Sequence, residues 1–336
     1  MKTNPAPAIA GLVLRSYAGE ADLPDMVRIQ NAEWEADGIG YRETVAEQAA
    51  WFAHPSAHFD PARDAIIAEV DGVIVGHANS DWVDATDGVR EYRSRGAVDP
   101  GWRRRGIGGA LLAECQRRQR ALAATHDTDR PRVHGTFAKE LNVGGGALAQ
   151  RSGYEPARWF FDMERPGLDR DLPEIRPLPE GIEVRPVTED QFRTIWKADV
   201  EAFLDHWGGH DQSEASLQRF LDSPDIDPSI WVVAWEGDEV VSASINMIFA
   251  HENEETGRRR GWLESVFTRR PWRRRGIGGA LIDRSLHVLA ERGMDTAALG
   301  VDAHNPSGAL RLYESHGFAV TERGTAFRKP MEEAAS

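Results

Sequence analysis

Residues 102–112 read WRRRGIGGALL and residues 272–282 read WRRRGIGGALI, so ten of eleven positions are identical at a separation of 170. Glycine lacks a Cβ, so Gly106, Gly108 and Gly109, like Gly276, Gly278 and Gly279, allow a sharp turn and close approach to the peptide N–H groups. Each run passes through an isoleucine, Ile107 or Ile277, into apolar positions beginning at Ala110 or Ala280, which open a helix. A helix N-terminus carries unpaired N–H groups and the positive end of its dipole, and both attract anions. The triplets Arg103, Arg104, Arg105 and Arg273, Arg274, Arg275 add charge that pairs with phosphate. Spacing excludes two common phosphate loops. No Lys-Ser or Lys-Thr follows Gly109 or Gly279, as a nucleotide P-loop requires, and the order R-x-x-G-x-G is not the dinucleotide fingerprint G-x-G-x-x-G.

That pattern, between a β-type run and a helix, resembles the pyrophosphate loop of the GNAT superfamily, the acetyl-CoA-dependent N-acetyltransferases. The resemblance covers nearly the whole chain and implies two tandem GNAT-like domains, each an α/β fold with a mixed (α+β) sheet. It implies acetyl-CoA (CoA) as cofactor, held by residues 103–110 and 273–280. It also implies that Val266, Phe267 and Thr268, on a splayed strand, contact the cofactor, with a backbone N–H near Val266 or Phe267 polarising the thioester carbonyl. Residues 302–318, DAHNPSGALRLYESHGF, match the family's C-terminal motif. Carried over, Asn305 holds the pantetheine arm and the Tyr313 hydroxyl protonates the departing thiolate.

An amine near neutral pH must lose a proton before it attacks a thioester. Glu264, nine residues before Arg273 on the strand entering the loop, is the candidate base. Many family members place the acid two residues earlier, where this chain has Trp262; residues two apart on a strand share a face. The stretch EAFLDHWGGHD, residues 201–211, borders the acceptor pocket in GNAT folds and offers His206, Trp207, His210 and Asp211 as substrate contacts.

The first copy departs from the motif. Its run from Leu141 to Tyr154 is shorter; aligned on the glycine it sets Ala149 opposite Tyr313, and aligned on the asparagine it sets Gln150 there. Counting back from the arginines sets Ser94 opposite Glu264. None of these residues can supply the phenolic proton or the carboxylate. The expectation is acetyl transfer to the primary amine of a small molecule, with catalysis in the C-terminal half and the N-terminal half structural or cofactor-binding. The layout is similar to that of the mycothiol synthases, but the displaced acid favours a different amine. The competing readings are an acyl-CoA-binding sensor without turnover and a protein N-terminal or lysine acetyltransferase.

The elements needed to position these residues follow from periodicity. The expected order is β-α-α-β-β-β-α-β-α-β in residues 1–165, a Pro- and charge-rich linker over 166–181, and the same order in 182–336. A helix is expected to start at Asn305 and Pro306. A length of 336 residues suits two domains. A net charge of −14 argues against nucleic acid as partner and weakly favours a cationic substrate. Cys115 is the only cysteine, so no intrachain disulfide forms, and no residue spacing supports a metal site. No apolar run approaches the ~20 residues that span a membrane, and the N-terminus lacks a signal-peptide core, so the protein is expected in the cytoplasm. Two fused copies can pair within one chain, so a monomer with an internal pseudo-dimer is expected.

Overall fold

The computed structural model describes residues 9–204, 206–208, 213–305 and 308–332. The chain forms two compact units: unit 1 is Met1–Arg158, Trp207–Arg219 and Gly324–Ser336, and unit 2 is Trp159–His206 and Phe220–Arg323.

The first half runs β1 (Leu12–Ser16), α1 (Leu23–Asp37), α2 (Val45–Ala53), α3 (Pro61–Asp64), β2 (Ala65–Val70), β3 (Val73–Asp84), β4 (Arg90–Val98), α4 (Ile107–Ala123), β5 (Arg132–Lys139), α5 (Val143–Arg151) and β6 (Glu155–Pro166). The second runs β7 (Ile182–Arg185), α6 (Phe192–Phe203), α7 (Glu214–Leu221), β8 (Val232–Glu236), β9 (Glu239–Met247), α8 (Ala250–Thr256), β10 (Arg260–Thr268), α9 (Ile277–Glu291), β11 (Thr296–Asp302), α10 (Ala309–Ser315) and β12 (Ala319–Pro330). Local chemistry sets several boundaries. Thr44 caps α2 in a reciprocal capping box with Glu47, and Asp60 caps α3, where Pro61 takes the first helical position.

In unit 1, β1 to β4 are antiparallel neighbours in sequence order and β5 lies parallel to β4; residues 324–330 of β12 complete the unit, antiparallel to β5. In unit 2, β7 to β10 repeat the antiparallel order with β11 parallel to β10, and residues 160–166 of β6 pair antiparallel with β11. Each unit therefore takes a strand from the other half of the sequence. Burial divides the layers alike. In unit 1, Leu23, Met26 and Ile29 of α1 pack on one sheet face, and Ile107, Leu111 and Cys115 of α4 on the other. In unit 2, Ile195, Ala198 and Ala202 of α6 take the first role, and Ile282, Leu286 and Leu289 of α9 the second.

Three features differ from the sequence reading. Residues 167–181 are no free tether: Leu168 is buried in the unit 2 core, Pro173 O accepts from His287 Nε2 at 2.8 Å, and Arg176 reaches Asp283 of α9. Isolated apolar anchors in a proline-rich stretch leave no periodicity to detect. Helix α10 begins at Ala309 rather than Asn305, because Gly308 precedes it in the left-handed region, at φ 78°, which an α-helix interior excludes. Finally, the short helices α3 and α8 have no counterpart in the expected order.

Candidate active site

The two glycine loops share one conformation. Arg104 and Arg274 have φ of 65° and 64°, and the glycines at the helix N-caps, Gly106 and Gly276, have φ of 93° and 82°. Neither cap is closed by a side chain, so the first N–H groups of α4 and α9 lack intrahelical partners. Left-handed turns that gather such N–H groups form anion-binding concavities. The first arginine of each run turns inward. Arg103 grips Asp37 of α1 with both nitrogens, at 2.6 and 2.9 Å, while Arg273 donates to the backbone carbonyls of Thr268 and Ala202. These side chains brace the loops. Arg104 and Arg274 are exposed and make no ion pair among the described residues, and Arg105 and Arg275 are exposed beside them.

The strands feeding the loops are not equivalent. In unit 1, β3 and β4 pair without interruption from Gly76 opposite Val98 to Asp84 opposite Arg90. In unit 2 the same pairing slips between Leu263 and Ser265: Asn246 faces Leu263 and Ile245 faces Ser265, so Glu264 is an inserted bulge residue. Position for position, Ser80 opposite Ser94 corresponds to Asn246 opposite Leu263. The expected pairing of Ser94 with Glu264 is thereby corrected. Ser94 lies on the α4 face, buried, with its Oγ accepting from Gln119 at 2.8 Å, and Glu264 has no counterpart in unit 1. A bulge bends the strand and re-aims a side chain. The parallel pairing ahead of the bulge also ends sooner, spanning Arg260–Trp262 in β10 compared with Arg90–Ser94 in β4. Beyond Trp262, the edge of β10 that faces β11 carries backbone groups without a strand partner, where a thioester carbonyl could be polarised.

The Glu264 side chain is exposed to solvent, with Asp199 and Glu252 as its charged neighbours. Desolvation first, then the charges of Asp199 and Glu252, pushes its carboxyl above the ordinary range, toward the protonation midpoint a general base needs. Asp199, on α6, also accepts a hydrogen bond from Ser265 Oγ. The base of the strand is fixed by a buried ion pair, Arg260 to Glu252 at 2.8 Å, and Glu252 also accepts from Trp262 Nε1 at 3.2 Å. Removing one partner from such a pair typically costs about 3–5 kcal/mol. The sequence reading passed over Asp199; its place on the apolar-faced helix α6 gave no signal beyond its being polar.

Tyr313 is 6% exposed, with its ring 6.0 Å from that of Phe318, and no described residue hydrogen-bonds its hydroxyl. Burial raises its pKa to about 12, so the phenol stays protonated at neutral pH. Backbone bonds settle its counterpart. Phe318 N donates to Tyr313 O and Gly317 N to Glu314 O; in unit 1, Tyr154 N donates to Ala149 O and Gly153 N to Gln150 O. Ala149 therefore stands where Tyr313 does, and Tyr154 takes the place of Phe318. Asn142 caps α5 through Gly145 N, whereas Asn305 lies 3.5 Å from His206 through Nδ2 and Nε2. Trp207 belongs to unit 1, where its indole donates to Asp87 at 3.0 Å under the Arg328 guanidinium. His210 and Asp211 lie outside the described residues. Among the described residues, no cluster of three or more His, Cys, Asp or Glu side chains is disposed to hold a metal, and no helix is long and apolar enough to cross a membrane.

Comparison with known proteins agrees with this geometry. Residues 192–318 match the acetyltransferase (GNAT) family model, and residues 61–155 match an acetyltransferase (GNAT) domain model. The chain is 30% identical over 319 residues to a mycothiol acetyltransferase of Geodermatophilus obscurus, covering 93% of this chain and 95% of that one. It is 30% identical over 280 residues to that of Streptomyces coelicolor, covering 80% and 81%. Among solved structures, a GCN5-related N-acetyltransferase from Sphaerobacter thermophilus superposes with a TM-score of 0.67 at 25% identity, over 96% of each chain. A tandem GNAT protein from the clavulanic acid biosynthesis pathway shares the fold at the same TM-score and 17% identity, over 96% of this chain and all of that one. The chain belongs to the GNAT family of acetyltransferases and carries two GNAT domains in tandem.

Proposed function

We propose that the protein transfers an acetyl group from acetyl-CoA to the primary amine of a small molecule, and that this chemistry takes place in unit 2. The observation that carries the reading is the asymmetry of the two copies. Among the described residues, unit 2 alone combines an inserted acid on the strand, a raised carboxyl and a buried phenol whose hydroxyl makes no hydrogen bond. Uncapped N–H groups at Gly276 to Gly279, with Arg274 and Arg275, suit the pyrophosphate, and Asn305 suits the pantetheine arm. Bound acetyl-CoA supplies an activated acetyl thioester. Glu264, directly or through water, takes the proton from the acceptor ammonium. A backbone N–H of Val266 or Phe267 stabilises charge on the carbonyl oxygen, and Tyr313 donates its proton to the departing sulfur. With reactants so placed, much of the rate comes from positioning.

Likeness over most of the chain to proteins named mycothiol acetyltransferase supports a small-molecule acceptor. Release of free thiol from acetyl-CoA across amino sugars, polyamines, amino acids, aminoglycosides and peptides tests the reading. Turnover with a small amine is expected. Binding of acetyl-CoA without turnover across the panel would favour a sensor, and turnover with peptides alone a protein acetyltransferase.

A further inference from the structure

Unit 1 contains a cavity of about 400 Å³, walled by Gln30 and Trp34 of α1 and by Glu43, Glu47, Gln48 and Trp51 at α2, and floored by strands β3 and β4. The floor is polar where the matching surface of unit 2 is not. Strand register aligns His77, Asn79 and Asp81 with Ala243, Ile245 and Met247, which are buried apolar residues. Unit 2 therefore closes this face by packing, and unit 1 leaves it open and hydrophilic.

The floor is also unsatisfied. His77 is 4% exposed, and neither ring nitrogen makes a well-formed hydrogen bond, although the Met26 carbonyl approaches the ring; the buried Oδ1 of Asn79 is equally without a donor. Buried polar atoms are normally paired, so two such groups facing one cavity point to an occupant that completes them. The charges narrow its chemistry. Asp81 is held by Arg93 with both oxygens, at 2.7 and 2.8 Å, and Glu47 is taken up in capping α2. That leaves one carboxyl, Glu43, and one guanidinium, Arg95, lining the cavity without an ion pair among the described residues, although Asp81 is the strongest charged neighbour of Arg95 and is shared with Arg93. The two come from different elements, Glu43 from the lead into α2 and Arg95 from the floor strand β4.

We propose that unit 1 binds a zwitterionic small molecule of amino-acid or dipeptide size in this cavity, its ammonium against Glu43 and its carboxylate against Arg95, between the rings of Trp34 and Trp51. The volume lies at the small end of the range for ligand pockets. Desolvation, then Glu47, lifts the Glu43 carboxyl to about 7, as befits a group that lacks a cation when the cavity is empty. The site shares no residue with the acid, base or glycine loops, so it stands or falls independently of the catalytic reading.

The test is saturation-transfer NMR and calorimetry on the full chain with the proteinogenic amino acids and a set of dipeptides, beside their N-acetyl and C-amide derivatives. At least one zwitterion should bind, its N-acetyl and amide forms at least tenfold more weakly. Arg95→Gln and Glu43→Gln should each weaken binding at least tenfold, while Glu264→Gln leaves it unchanged. The derivatives keep the test decisive if a variant folds poorly. Absence of binding across the panel, binding indifferent to blocking either charge, or binding lost in Glu264→Gln but kept in Arg95→Gln would each overturn the proposal.

Discussion

Units 1 and 2 carry the same eleven-residue loop in the same backbone conformation, yet the strands that deliver it differ by one inserted residue. In unit 1 the register through Ser94 is unbroken and the side chain turns into the helix α4 layer. In unit 2 the bulge inserts Glu264, and the parallel pairing with β11 ends just before it, at Trp262. On the proposed reading, cofactor geometry and acid–base geometry are separable in this fold: glycines and a bracing arginine fix the loop, and a bulge and a tyrosine would set the chemistry. A glutamate at position 94 would not recreate the base, because without the bulge it would be buried beneath α4.

The asymmetry can be broken by substitution. The largest effect is expected from Tyr313→Phe, which removes one oxygen while keeping the ring packed on Phe318. Steady-state kinetics should show kcat lowered by roughly 100-fold or more, the usual scale for a lost general acid, with acetyl-CoA affinity little changed. Because burial holds Tyr313 near 12, the wild-type profile should show no loss of rate from this group through the neutral range.

Glu264→Gln should follow. The raised carboxyl means that kcat/KM climbs with pH through a midpoint above the ordinary carboxylate range; in the variant that rise should be displaced, and the deficit should shrink at high pH where the amine is already neutral. The same group sharpens the comparison through stability. Its folded pKa exceeds the unfolded one, so its ionisation opposes folding, and the penalty grows as pH rises through that window. Thermal melts should find Glu264→Gln more stable than wild type at about pH 8, with the gap closing by about pH 3, where both states are protonated.

The smallest effect belongs to unit 1. Ser94→Ala and Gln150→Ala should leave kcat nearly unchanged, since Ser94 faces α4 and Gln150 precedes the turn at Ser152 rather than standing at the Tyr313 position.

Much of this was legible in the sequence because local chemistry wrote it there. The duplicated loop carries a short-range signal, and so does the alternation of strand-like and helix-like runs that gave the order of elements in each half. What escaped depends on non-local pairing. A bulge is defined by the opposite strand, so Glu264 and Ser94 looked equivalent when counted from the arginines. The Ala149 alignment needed backbone bonds around Gly153, and the strand contributed by β12 lies far in sequence from β5. The cavity in unit 1 did leave a trace: His77, Asn79 and Asp81 alternate along β3, a polar face where a helix-covered strand should be apolar.

The most direct test of the division between the units is thiol release from acetyl-CoA, with an accepted amine, in two loop variants. Gly276→Asp with Gly278→Asp places carboxylates and Cβ atoms in the unit 2 anion site, and should abolish turnover while one CoA site remains by calorimetry. Gly106→Asp with Gly108→Asp should remove the other CoA site and keep kcat within about twofold of wild type. Turnover lost in the unit 1 variant while its unit 2 site still binds acetyl-CoA, or retained in the unit 2 variant, would contradict the assignment of catalysis to unit 2.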